Sequence, residues 1–168
     1  MNEEEKIKKQ FLDLATATIK MQNDFNDLLQ PYDSYFASAF KHSEKLNSYL
    51  LTWAKLEKEM SIQLREDQRQ KVEELVAYSA AITAASTNAV NQMLAVKKSI
   101  FKLNDHFVST ASFIGKTFPD AKRCYEAIEK LEGLYKTEFD LHLKLKDQLP
   151  VLSSALNKAV NQLKAMMD

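Results

Sequence analysis

Two glycines and three prolines stand in a chain of 168 residues. Sheet sandwiches, barrels and βαβ folds need turn residues at most of their connections, and this chain cannot supply them. Gly115 and Gly133 lie far apart in sequence. That spacing excludes the glycine-rich loops that cradle phosphates, which need several backbone N–H groups brought close to one ligand. Cysteine occurs once, as Cys124, so no disulfide can form within the chain and a reducing compartment is permitted. The histidines are His42, His106 and His142, and none pairs with Cys124 or with another at zinc-ligand spacing. No Glu-x-x-His occurs, the motif that di-iron four-helix proteins carry on two helices. The nearest arrangement is Glu138 with His142 one helical turn on, which reads more simply as a local ion pair or a partly buried histidine. No G-x-S-x-G elbow is present. The expectation is a chain with no catalytic residues, no metal and no cofactor.

An excess of charge is missing too. Lysine plus arginine number 23 and aspartate plus glutamate 23; a small acidic excess before Val96 is matched by a basic one after it. Arg65, Arg69 and Arg123 are the only arginines, whereas phosphate and base recognition by bidentate forks favours many more. No nucleic-acid partner is expected. The N-terminal residues Met1 to Lys6 hold no apolar stretch of the kind a secretory signal needs, which points to a cytoplasmic or other intracellular location.

What the chain does have is hydrophobic residues, 45% of the total, and their spacing is helical. Ile7, Phe11, Leu14, Thr18, Met21, Phe25 and Leu28 follow at steps of four and three, predicting a helix over about 3–29. Pro31 lacks an N–H and crowds the preceding turn, so a stop or kink is expected there. A second helix over about 33–64 carries Phe36, Phe40, Ser43, Leu46, Leu50, Trp53, Met60 and Leu64 on one face. The charged run Arg65 to Lys71 has no apolar residue and reads as a turn, with one unbroken helix as the alternative. From Val72 the seam runs through Leu75, Ser79, Ile82, Ser86, Ala89 or Val90, Met93, Val96, Ile100, Leu103, Phe107 and Thr110 to Ile114, predicting a long helix over 72–114. Gly115 suits a left-handed C-terminal residue, and Thr117 with Asp120 frames Pro119 as a helix start. A fourth helix over 119–167 holds one phase from Cys124 through Ile128, Leu131, Tyr135, Glu138, His142, Leu145 and Leu149 to Leu152, Leu156, Ala159 and Leu163, with a kink at Pro150. Cys124 near Lys122 and Arg123 in a first turn has the setting of an activated thiolate; its seam position makes it a small core residue.

The segment Val76 to Val96 carries no charge at all. It is long enough to cross a bilayer, but its Ser, Thr, Asn and Gln side chains are too polar for an ordinary transmembrane helix. An uncharged helix centre asks for cover on every side, from the other helices or from a second copy. Ala77, Ala81, Ala84, Ala85, Asn88, Asn91 and Gln92 are the candidate self-association surface, and a homodimer is slightly favoured over a compact monomer.

The order of long helices with proline interruptions, together with Phe118-Pro119-Asp120-Ala121-Lys122 and Gln148-Leu149-Pro150-Val151-Leu152, resembles the BAR-domain superfamily. The two passages cover about ten residues. The resemblance implies a dimeric helical module lying on curved membranes through a basic face, for which Lys97, Lys98, Lys102, Lys116, Lys122 and Arg123 are the candidates. The chain is shorter than most members, places its Phe-Pro-Asp at a hairpin, and lacks their basic excess.

The fold class expected is all-α: an elongated antiparallel bundle or coiled coil of three to four long helices in a single domain. Its expected core is Phe11, Phe25, Phe36, Phe40, Leu50, Trp53, Ile82, Met93, Ile100, Phe107, Ile128, Tyr135, Leu145 and Leu156. The expected function is a non-enzymatic scaffold that binds proteins or itself. A BAR-like membrane-surface module is the alternative, ahead of a pore-former or a helical enzyme.

Overall fold

A computed structural model describes residues 2–59 and 66–167. The described residues form three long helices, α1 (Glu3–Glu59), α2 (Glu66–Thr117) and α3 (Ala121–Met167), and no strand. The protein is an all-α helical bundle.

Local chemistry sets the ends. Asn2 caps α1: its Oδ1 accepts the Glu5 N–H at 2.9 Å, satisfying one of the donors that a first turn leaves open. Glu3, Glu4 and Glu5 then stand at the positive end of the helix dipole. Between α2 and α3 the Phe118 N–H donates to the Ile114 carbonyl at 3.1 Å and the Asp120 N–H to that of Thr117 at 3.0 Å. Asp120, rather than Thr117, is the cap of α3, its Oδ1 accepting the Arg123 N–H at 3.4 Å. The Phe118–Pro119 peptide is cis.

Several predicted boundaries move. Pro31 does not end a helix, because α1 runs through it. It sits on the exposed side, so the missing N–H falls there, while Leu29 before it and Phe36 after it are buried and hold the flanking turns by packing. Pro150 lies inside α3, which runs through it as the preserved seam phase predicts. Residues Glu66 to Lys71 are not a turn but the start of α2. Glu, Gln, Arg and Lys are strong helix formers that need no apolar partner. Arg65, Met60 and Leu64 lie outside the described residues. Gly115 does not end α2, which continues to Thr117, and no glycine takes a positive φ.

The chain divides into two compact units, each with a segment of all three helices. The first comprises Met1–Leu29 and Met93–Lys146; the second comprises Gln30–Gln92 and Asp147–Asp168. In the first, Ile7, Cys124 and Ile128 form one buried cluster with Phe11, Ile114, Phe118 and Tyr125 against it. Met21, Leu103 and Leu131 form another, flanked by Leu14, Phe107 and Tyr135. Phe36, Ala39, Leu50, Ile82, Ala89, Leu149 and Leu156 are the buried apolar residues that centre the second. The expected core follows this closely, except that Phe11, Phe40, Ile100, Phe107 and Tyr135 are only half-buried. The Trp53 side chain lies outside the described residues. Ala89, not Val90, is the seam residue: the first is buried and the second exposed.

Candidate functional site: the outer face of α2

The buried seam of α2 runs Ser79, Ile82, Ser86, Ala89, Met93, Val96 and Leu103. Positions between these turn away from the core, and there the uncharged run meets solvent.

In the second unit, Ala77, Ala81, Ala84, Asn88 and Asn91 are exposed, with Ala85 and Gln92 half-buried at the edge of the face. The Gln92 amide Nε2–H donates to Asn88 Oδ1 at 3.1 Å, so these two polar side chains partner each other along the helix. Of the two kinds of cover expected for the run, its own helices supply one side only, since α1 and α3 leave Ala77, Ala81, Ala84, Asn88 and Asn91 exposed. Their own seams are one stripe wide, and a stripe that packs on Ser79, Ile82 and Ser86 does not reach the far side of α2.

In the first unit the outward residues of α2 are larger. Leu94, Phe101 and Val108 are 45%, 69% and 71% exposed and recur at heptad spacing, so they share a face. Lys98 and Lys102 are exposed on either side of Phe101, and Lys97 is half-buried. Lys116, Lys122 and Arg123 are also exposed, grouped about the α2–α3 turn. The Arg123 guanidinium lies over the Phe113 ring, 5.4 Å from its centroid, within cation–π range. Beside it a groove between α2 and α3 is lined by His106, Phe113, Glu126, Lys130 and Leu134. The six predicted basic residues therefore fall into two places, Lys97, Lys98 and Lys102 on the α2 shaft and the rest at the turn.

The buried polar groups serve packing. Ser43 and Ser79 are buried in the second unit. Thr83 Oγ1–H donates to Ser43 Oγ at 2.9 Å and Ser79 Oγ–H to Asn47 Oδ1 at 2.5 Å, tying α1 to α2 through side chains. Ser43 and Ser79 are seam positions in the sequence, but their bonds to Thr83 and Asn47 depend on a register between helices that spacing alone does not fix. Cys124 is fully buried, and burial, followed by the field of Asp120, pushes its thiol up, with Arg123 opposing. Cys124 is thus the small core residue its seam position predicts, not an activated thiolate: the first turn of α3 aims it into the core beside Ile7 and Ile128. Among the described residues no group of three or more His, Cys, Asp or Glu side chains is placed to hold a metal ion. Glu138 and His142 contact each other instead. Among the same residues no helix is long and apolar enough to cross a membrane.

Comparison with protein-family models, with curated proteins and with solved structures finds no match to this chain. The class is therefore defined by the fold alone, an all-α helical bundle with one face of α2 left exposed.

Proposed function

We propose that this chain is a non-enzymatic interaction module that binds other proteins, its own copies included, through the outward residues of α2. The observation that carries the reading is that α2 has a buried stripe and an exposed one, which is uncharged from Ala77 to Asn91 and in the first unit sets Leu94, Phe101 and Val108 among Lys98, Lys102 and Asp105. A charged outer stripe would be the ordinary solvated arrangement. Leu94, Phe101 and Val108 in the first unit and Ala77, Ala81 and Ala84 in the second instead present side chains that gain by leaving water.

Sedimentation velocity over a micromolar concentration series tests it. The wild type is expected to shift from the 19.3 kDa species towards twice that mass, and Phe101→Glu and Ala84→Glu to stay monomeric with unchanged circular dichroism. A monomer at every concentration would remove self-association, and the reading as a whole fails if neither variant alters binding to any captured partner.

Exposure of Phe101 between Lys98 and Lys102 supports a second reading, a membrane-surface module of BAR-like form, since an aromatic flanked by lysines suits an anionic bilayer interface. Flotation with anionic vesicles should then be strong at low salt and lost at high salt, because the Debye length shortens to about 3 Å at 1 M. No flotation at low salt discards it.

A further inference from the structure

Glu138 and His142 stand one turn apart on α3, and both are buried. The imidazole Nε2 lies 2.8 Å from Glu138 Oε1, and the same oxygen accepts the Ser99 hydroxyl of α2 at 2.8 Å. From α1, the Phe25 ring stacks on the imidazole with centroids 4.0 Å apart and planes 18° from parallel. Side chains of all three helices of the first unit thus meet in one cluster, α2 through the Ser99–Glu138 bond and α1 through the ring stack. With Nε2–H donating to the carboxylate, Nδ1 keeps a bare lone pair; it is buried and has no hydrogen-bond partner among the described residues. A proton there would make a buried donor with nothing to accept it, which is the costly form of an unsatisfied group.

We propose that this cluster is an acid-release latch: protonation of His142 loosens the packing of α1 against α3 in the first unit and makes the Phe25 side of α1 accessible in mildly acidic surroundings. The proposal does not rest on the binding function. α1 presents Phe25, with Asp24 exposed to solvent; α2 presents Ser99, with Lys98 and Lys102 exposed and Lys97 half-buried; on α3, Asp140, Lys144 and Lys146 are exposed. Glu138 is the charged group that acts on His142, by hydrogen bond and by field, in favour of the imidazolium. Burial opposes it and is the larger effect, so the folded imidazole titrates below its ordinary 6.5. Below that ordinary value the open form takes up a proton that the closed form refuses. Stability of the first unit is thus complete above pH 6.5 and declines as the pH falls from there.

Amide exchange over Met21–Leu29, corrected for the intrinsic rate, tests this at pH 7.5 and 5.5. The open population of the wild type is expected to rise by up to about tenfold, the limit for one coupled proton. His142→Gln, whose amide can still donate to Glu138, should change less than about twofold on the same scale. An equal rise in both proteins overturns the latch. The Cε1–H signal of His142 in the wild type gives a second reading independent of whether H142Q folds. A neutral imidazole signal persisting below pH 6.5 supports the latch, and an imidazolium signal at pH 7 overturns it.

Discussion

Phe36 is fully buried in the second unit, with Tyr32 and Tyr35 rings 6.3 and 5.5 Å from its own. An aromatic residue in such a place contributes both apolar area and shape. Phe36→Ala should lower unfolding stability by about 3–5 kcal/mol, read by urea denaturation, because packed surroundings collapse only in part onto the cavity. A change under about 1 kcal/mol would mean that α1 packs through another face. Cys124 makes a different prediction. Its thiol is buried, and desolvation holds it up, so the folded protein should resist a disulfide reagent at pH 8 and react fully once unfolded. Rapid reaction in the native state would show that the first turn of α3 is open.

Among the elements, α1 is the most informative. Pro31 costs it a backbone bond and leaves a carbonyl one turn earlier without its usual donor. Pro31→Ala should therefore raise helicity and stabilise the protein by on the order of 1–3 kcal/mol in thermal or urea melts, the gain trimmed by the extra freedom of the unfolded chain. No packing is lost, since the proline ring is exposed. Destabilisation would show instead that the interruption sets the two seam segments of α1 in phase. These same residues mark what the sequence could tell. The seams of α2 and α3 were legible at most positions from Ser79 to Leu103 and from Cys124 to Leu156, with Ile100, Tyr135 and Leu152 only half-buried, because burial in a bundle leaves a periodic trace. Helix ends were less so. Pro31 and Gly115 are local signals, and packing on both sides of them prevailed. The outward Phe101 and Val108 could have been found as a second heptad beside the first. That Phe25 would stack on His142 could not, since spacing along one helix says nothing about register between two.

At the scale of the whole molecule, charges cancel at neutral pH and the isoelectric point is about 6.8. Repulsion between copies is then weakest near pH 6.8, and association should peak there. Light scattering across pH 6 to 9 is expected to show a maximum near the isoelectric point, falling on the alkaline side as negative charge accumulates. A flat profile would mean that contact between copies is insensitive to net charge. The division of the chain has a further consequence for synthesis. Each unit draws on all three helices, and neither is a continuous stretch of sequence. While the ribosome works through α2, both units lack their third wall, and the seams of α1 and α2 have only each other. The first unit can close once Lys146 has emerged, whereas the second waits for the end of α3. Until α3 follows, the apolar stripes of α1 and α2 stay open to water, the kind of surface that holding chaperones bind during synthesis.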